Sequence, residues 1–128
     1  MPVIEIKALP QKEWISVPNV LKKLSAKVSQ VMGEEPKHVW ASWESIKPEH
    51  YVEDNHETPL QPAGTHPPIV KILAFEGRPQ ELVEKLMSAV AEFLVKELEL
   101  DPGNVFIIYQ ELRSGHVFDG GQVVKKSL

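Results

Sequence analysis

Pro2 is the residue of this sequence with the clearest capacity for chemistry. A proline in second place is small enough for the initiator Met1 to be removed, which leaves a secondary amine at the start of an apolar run. An α-amino group has a pKa of about 7.7–8.0, and an apolar pocket lowers it by disfavouring the charged form. A neutral amine near pH 7 is the general base that proton abstraction beside a carbonyl requires. The alternative is that Pro2 only begins a strand, where proline is tolerated. If Met1 is retained, Pro2 is acylated and the amine mechanism fails.

Histidines and carboxylates are concentrated in a second region, between residues 47 and 67. The candidate metal ligands there are His50, Asp54, His56, Glu57 and His66. They lack the i, i+4 spacing of a helical metal site and are scattered among prolines, so solvent-facing side chains are favoured over a divalent metal site. The absence of cysteine from the sequence excludes thiolate zinc sites and iron–sulfur ligation. We therefore expect no metal and no other cofactor.

Length and composition predict one globular domain that needs no disulfide or structural metal. The chain has 128 residues, of which 42% are apolar and 25% charged, enough to bury a core without disulfides or structural metal. A net charge of −4 with no strongly basic segment argues against nucleic acid and anionic membranes as partners. No apolar run approaches the roughly 20 residues of a membrane-spanning helix, and the N-terminus lacks the layout of a signal peptide. The expected location is the cytoplasm.

The sequence aligns with itself at an offset of 66 residues without a gap, so that Pro2 falls on Pro68 and Pro36 on Pro102. The segments that match in apolar pattern are 2–9 with 68–75, 21–32 with 87–98 and 39–43 with 105–109. The shared apolar pattern and the matched prolines favour an ancient duplication over chance.

Each half has the pattern strand, helix, strand. The first strand of each is a short β-branched run, consistent with burial on both faces. One helix is predicted to begin after an N-cap at Ser16 and end near Gly33, and the other to run from about Pro79 to Glu99. Strands joined through a helix are parallel neighbours. We predict an α/β (α+β) fold in which two tandem β-α-β units form one four-stranded sheet with both helices on one face.

The predicted single domain consists of two pseudo-repeats, residues 1–46 and 68–112, with two further segments. Residues 47–67 are rich in proline and unusually long for a connection within a compact domain, which predicts a functional cover or a mobile linker. Residues 115–124 are predicted to form a terminal hairpin, because Gly120-Gly121 supplies a turn between two short apolar runs.

In their order and spacing these features resemble the tautomerase superfamily. The resemblance rests on the strand that begins at Pro2, the two matched units, the segment Phe75-Glu76-Gly77-Arg78 ahead of the second helix, and Gly115-His116 followed by Gly120-Gly121. It covers nearly the whole chain. Small members of the superfamily are single units resembling 4-oxalocrotonate tautomerase, and longer members are fused pairs resembling macrophage migration inhibitory factor. The chain is similar to the fused pairs, and also to an uncharacterised branch of them, which leaves the substrate open.

The resemblance implies a catalytic N-terminal proline that moves a proton between the carbon and the oxygen of a keto-enol pair, with arginines that bind the substrate carboxylate. Arg78 falls on one of these arginine positions, and its planar fork suits bidentate binding, although a solvated residue ahead of a helix explains it equally well. The other implied substrate-binding candidates are Lys12, Arg113, Phe118 and Tyr109. Lys12 is the repeat equivalent of Arg78, Arg113 is the only other arginine, and the two aromatics are candidates to desolvate the proline.

The sequence departs from the family at the second arginine position. Trp40 and Phe106 occupy it, and neither can bind a carboxylate by charge. Pro68 lies inside the chain as an amide, so one site per chain is expected. Trp14 and Trp43, like Trp40, are expected in the core or at a subunit interface rather than in a ligand cage.

Three functions remain open at this point. The first is an isomerase that acts on a small enolisable carbonyl acid through Pro2 as general base. The second keeps Pro2 protonated as a general acid in decarboxylation or hydration, and the third is a non-catalytic oligomeric domain of the same fold. A homotrimer is expected in each case, because two helices cover one face of the sheet only and the fused tautomerases place three sheets around a threefold axis.

Overall fold

The computed structural model describes residues 1–53 and 66–126, together with the backbone of residues 56 and 57. The elements in chain order are β1 (Val3–Ala8), α1 (Val17–Met32), β2 (Trp40–Ser45), β3 (Val52–Glu53), β4 (His56–Glu57), β5 (Ile69–Phe75), α2 (Gln80–Leu98), β6 (Phe106–Leu112), β7 (Val117–Asp119) and β8 (Gln122–Val124). A short 3₁₀ turn precedes β2 and another precedes β6.

Four of the strands form one mixed sheet in the order β2-β1-β5-β6. β1 is parallel to β2, and β5 is parallel to β6, as expected for strands joined through a helix. The two units meet at β1 and β5, which run antiparallel with Val3 opposite Leu73. The predicted fold of two β-α-β units in one four-stranded sheet is confirmed.

Local sequence sets the helix ends. The hydroxyl of Ser16 accepts a hydrogen bond from the Asn19 backbone N–H at 3.4 Å, and α1 ends at Gly33, whose φ of 66° lies in the left-handed region that glycine adopts readily. Pro79 precedes α2, where its missing N–H costs no helical hydrogen bond, and Glu99 ends it in the same left-handed conformation.

The core lies between the sheet and the two helices. Both units contribute fully buried side chains to it: Ile4, Ile6, Val70 and Ile72 from the sheet, and Leu24, Val28, Leu86, Val90, Leu94 and Leu98 from the helices. The spacing of the helical residues places them on one stripe, which faces the sheet.

The expectation that the first strand of each unit is buried on both faces is wrong within the single chain. Glu5 and Lys7 of β1 are exposed, because successive side chains of a strand alternate between faces and the helices cover only one face. The uncovered face also carries exposed apolar side chains, Trp40, Phe106 and Ile108, at 46%, 50% and 41% exposure.

The long connection contains regular structure that the sequence pattern did not predict. β3 and β4 pair antiparallel, with Val52 opposite Glu57. The Glu53 carboxylate accepts hydrogen bonds from the Tyr51 hydroxyl at 2.7 Å and from the His66 backbone N–H at 2.9 Å. Burial, followed by the hydrogen bond to Glu53, raises the pKa of Tyr51 to about 12.

Part of the candidate metal-ligand set lies outside the described residues, namely Asp54 and the side chains of His56 and Glu57. Within the described residues, no three metal-ligating side chains come together. None of the described helices is long and apolar enough to span a membrane.

Candidate active site

The candidate site forms at the edge of the sheet where β1 begins. Since β5 runs antiparallel to β1, its end brings the segment 75–78 beside the N-terminus. α1 leads from the end of β1 back to the start of the parallel strand β2, so the residue after Gly33 returns to the same edge. Pro2 is buried there, and its carbonyl accepts a hydrogen bond from the Trp40 N–H at 3.1 Å.

A turn between β5 and α2 positions Arg78. Gly77 has a φ of 107°, which a side chain would disfavour, so glycine allows the chain to reverse here. The Glu76 backbone N–H donates to the Leu112 carbonyl at 2.9 Å, which ties the turn to the end of β6. The Glu76 carboxylate accepts a hydrogen bond from the Ser114 N–H at 3.0 Å.

Glu34 joins the N-terminal amine to Arg78. Its Oε1 lies 3.5 Å from the Met1 nitrogen and 3.2 Å from Nη2 of Arg78. Nη1 of Arg78 donates to the Phe75 carbonyl at 3.0 Å. Both charged side chains are largely buried, with Arg78 18% and Glu34 24% exposed.

The position of Glu34 is itself fixed by the end of α1. The Glu34 N–H donates to the Ser29 carbonyl at 3.1 Å, and the Ser29 hydroxyl donates to the Glu34 carbonyl at 2.5 Å. Ser29 is the buried polar side chain of the described core, at 9% exposure. A buried hydroxyl with a partner of this kind holds the backbone that follows the helix.

These groups border an open cavity of about 350 Å³. Its principal lining residues are Met1, Glu34, Phe75, Glu76, Arg78 and Lys126. The volume is at the lower end of the range for small-molecule sites and suits a small substrate.

The amine at this site is shifted toward its neutral form. Burial is the main cause that lowers the pKa of the Met1 amine below its ordinary value, and the positive charges of Arg78 and Lys126 lower it further. The Glu34 carboxylate opposes the shift, because a nearby negative charge favours the ammonium form. The arrangement therefore lowers the affinity of the terminal amine for a proton.

The structure brings Pro2 and Arg78 to one edge but places Lys12 elsewhere. Nζ of Lys12 pairs with Glu99 at 2.9 Å, beyond the end of α2, and Glu99 also accepts a hydrogen bond from Trp14. This pair lies at the opposite edge of the sheet, so Lys12 does not reach Pro2 within the chain.

The remaining sequence candidates, Arg113, Phe118 and Tyr109, do not line the cavity. Arg113 follows β6 at the same edge and is exposed, and Phe118 of β7 is 70% exposed. Tyr109 faces the helices and borders a second cleft of about 650 Å³, which it shares with Arg78. Its hydroxyl lies beside Arg78: burial raises the pKa of Tyr109, and the positive charge of Arg78 opposes that rise.

Four side chains that line the cavity were not predicted from the sequence as site residues: Glu34, Phe75, Glu76 and Lys126. Glu34 was within reach of sequence reasoning, because a helix between parallel strands must end at the edge where those strands begin. Phe75 and Glu76 belong to the segment ahead of α2 that resembles the tautomerase superfamily. Nothing in the pattern near Lys126 indicates that the chain after the hairpin returns to Pro2.

The second half of the sequence matches a known protein family. The sequence model of the family described as tautomerase enzyme matches residues 68–127. The second half of the chain thus resembles a tautomerase unit in sequence. A search of curated proteins found no match.

The tautomerase fold extends over the whole chain. A fused 4-OT, described as an asymmetric trimer, is 16% identical with a TM-score of 0.81, and the match covers 94% of each chain. Pt0534 inactivated by 2-oxo-3-pentynoate is 16% identical with a TM-score of 0.78, over 95% of each chain. A macrophage migration inhibitory factor-like protein from Entamoeba histolytica is 13% identical with a TM-score of 0.66, over 89% of this chain and 90% of that one. The resemblance to the tautomerase superfamily is confirmed. At sequence identities this low, the structural matches show a shared fold and nothing more.

Proposed function

We propose that the chain is an isomerase of the tautomerase type, in which the free amine of Pro2 acts as general base on a small enolisable carbonyl acid. The observation that carries the proposal is the terminal amine itself. It lies in a cavity beside Arg78 and Glu34, where burial lowers its pKa. Pro2 is more deeply buried than Met1, and burial disfavours the charged form of an amine, so we expect the pKa of the amine that removal of Met1 creates to be lowered as well.

The reaction needs one proton and one base. The neutral Pro2 nitrogen takes a proton from the carbon next to the substrate carbonyl, and the electron pair of the C–H bond moves to form the enolate. The resulting ammonium then delivers the proton to the enolate oxygen, and the reverse sequence gives the ketone. Glu34 stabilises the ammonium between the two steps, since its carboxylate favours the charged form.

Arg78 serves as the cation that orients the substrate. Its contacts with Glu34 and the Phe75 carbonyl hold the guanidinium in place, and its other N–H groups can donate to a substrate carboxylate or a developing enolate oxygen. The inactivation of Pt0534 by 2-oxo-3-pentynoate, a 2-oxo acid, supports acids of this class as ligands of the fold.

A second candidate function rests on Glu34. A carboxylate 3.5 Å from the terminal nitrogen favours a protonated amine, which would make Pro2 a general acid in decarboxylation or hydration. The two functions predict opposite pH dependence. Activity through a general base rises as pH increases through the pKa of the amine, and activity through a general acid falls.

We also propose that the chain forms a homotrimer. The support is the sheet face left uncovered by the helices, with Trp40, Phe106 and Ile108 exposed on it, and the trimer described for the fused 4-OT of similar fold. Sedimentation at micromolar concentration should give three times the mass of the 14.4 kDa chain. A monomer at that concentration would reject the trimer.

The experiment that tests the function is the tautomerisation of phenylpyruvate by the processed protein and by Pro2→Ala. We expect the variant to lose turnover with a smaller change in KM, because a primary amine is a differently placed and more basic proton acceptor. Thermal unfolding of both proteins should coincide, which separates loss of chemistry from loss of fold. Equal turnover by Pro2→Ala would leave Pro2 as a strand-starting residue.

A further inference from the structure

We infer that Lys126 is a specificity-determining residue of this site: it is the second cation, and it binds the carboxylate of a monocarboxylate 2-oxo acid. The inference rests on the proposed function and names its substrate class. Neither the repeat nor the candidates drawn from the sequence pointed to this lysine.

The backbone after the hairpin is anchored at the candidate site. The Gly115 N–H donates to the Val124 carbonyl at 2.9 Å, and the Lys126 N–H donates to the Ser114 hydroxyl at 2.7 Å. The N–H of Ser114 in turn donates to the Glu76 carboxylate in the turn ahead of Arg78. This series of hydrogen bonds ties the segment that carries Lys126 to the segment that carries Arg78.

The side chain of Lys126 is directed to the cavity. Its Nζ lies 5.2 Å from the centre of the Phe75 ring, within the range of a cation–π contact, and both residues line the cavity beside Met1. A lysine at the mouth of a cavity is a mobile point charge on a long stem, suited to an anion that enters from solvent.

Charge pairing distinguishes Lys126 from the other two cations discussed. Arg78 has Glu34 as its carboxylate partner and Lys12 has Glu99. Among the described residues no carboxylate forms an ion pair with Lys126, although Glu76 lines the same cavity. Lys126 is therefore the cation of this cavity that makes no ion pair with an acid of the described residues.

The substrate class follows from this count. Arg78 is paired with Glu34, and Lys126 is the one cation lining the cavity that makes no ion pair among the described residues, so one substrate carboxylate is accommodated better than two. The carboxylate of the acid is placed against Lys126, and the carbonyl oxygen against the remaining N–H groups of Arg78. Lys126 thus supplies the charge that Trp40 and Phe106 cannot supply from the strands.

The test uses binding, which does not depend on turnover. Benzoylformate is a 2-oxo acid with no C–H beside its ketone, so it can bind without enolising, and its methyl ester is an uncharged comparator. We would titrate both into the full chain and follow backbone NMR shifts of residues 75–78. Three variants are compared: Lys126→Met, Lys126→Arg, and the adjacent exposed Lys125→Met as the matched control for charge.

Lys126→Met should raise the Kd of benzoylformate about tenfold, the lower bound for a hydrogen bond to a charged group, and leave that of the ester unchanged. Lys126→Arg should retain most of the affinity, and Lys125→Met should bind as the parent. Equal affinity of Lys126→Met and Lys125→Met, or no binding of benzoylformate by the parent, would overturn the inference. Binding that depends on Lys126 in a protein without phenylpyruvate turnover would support the anion site and reject the isomerase, so the two failures are distinguishable.

Discussion

The two edges of the sheet are related by the repeat and differ in what they can do. At one edge the carbonyl of Pro2 accepts a hydrogen bond from Trp40 at 3.1 Å, and at the other the carbonyl of Pro68 accepts one from Phe106 at the same distance. After each strand a cation pairs with an acid at the end of a helix. The pairs are Arg78 with Glu34 at the Pro2 edge and Lys12 with Glu99 at the Pro68 edge.

The two edges differ in the chemistry of the proline nitrogen and in the burial of the acid. Pro68 is bonded through its nitrogen to Pro67, so it carries an amide with no basic lone pair. The acid at its edge is also more open, with Glu99 46% exposed against 24% for Glu34. The scaffold of the duplicated unit is thus shared by both edges, whereas the potential for proton transfer depends on a free terminus and occurs at one of them.

The largest effect is expected from blocking the terminus. A short N-terminal extension that cannot be removed converts the Pro2 amine into an amide and makes the two edges chemically alike. Phenylpyruvate tautomerisation, followed by the absorbance of the enol, should be abolished while the far-UV circular dichroism is unchanged. Turnover at the parent rate by the extended protein would show that the difference between the edges is not chemical.

The shared scaffold predicts equal costs for matched core deletions. Ile6 and Ile72 are repeat equivalents, at 1% and 0% exposure. Ile6→Ala and Ile72→Ala should each lower the free energy of unfolding by about 2–5 kcal/mol, from lost burial and the cavity left behind. Urea denaturation measures both, and costs that differ by most of this range would mean that the two units are not equivalent in packing.

A smaller effect should separate the two cations. Arg78→Ala should raise the KM for phenylpyruvate about 10- to 150-fold, the equivalent of about 1.5–3 kcal/mol, with some loss of kcat if the guanidinium also stabilises the enolate. Lys12→Ala, the matched variant at the other edge, should leave both constants unchanged. Its exposed ion pair contributes at most about 1 kcal/mol to stability. Equal kinetic effects of the two variants would contradict the assignment of the site to the Pro2 edge.

The fold was predictable because the signals that specify it are local. The helical stripe of α2, the Ser16 cap and the Gly33 terminus are read from neighbouring residues, and the crossover rule then fixes the parallel pairs. The site was predictable only in part. Pro2 and Arg78 belong to strand ends that the antiparallel pairing of β1 and β5 brings together, and that pairing follows from no local pattern.

The residues missed or misplaced have physical explanations of the same kind. Lys126 reaches the cavity because hydrogen bonds between residues distant in sequence direct the chain after the hairpin. The periodicity of the sequence does not predict such hydrogen bonds. Lys12 is equivalent to Arg78 by sequence, but antiparallel units place equivalent residues at opposite edges. Glu34 contacts two groups far from it in sequence, and only the topology relates them.

The most direct test of the central claim is an NMR titration of the Pro2 nitrogen in the processed protein. Burial and the charges of Arg78 and Lys126 lower the pKa of the Met1 amine, with Glu34 limiting the shift, and we expect the Pro2 amine of the processed protein to be shifted in the same direction, below the ordinary 8.0. Glu34→Gln should lower the pKa further and Lys126→Met should raise it, and phenylpyruvate turnover should increase with pH through the same pKa. A pKa at or above 8.0, or turnover that falls as the amine loses its proton, would contradict a Pro2 general base.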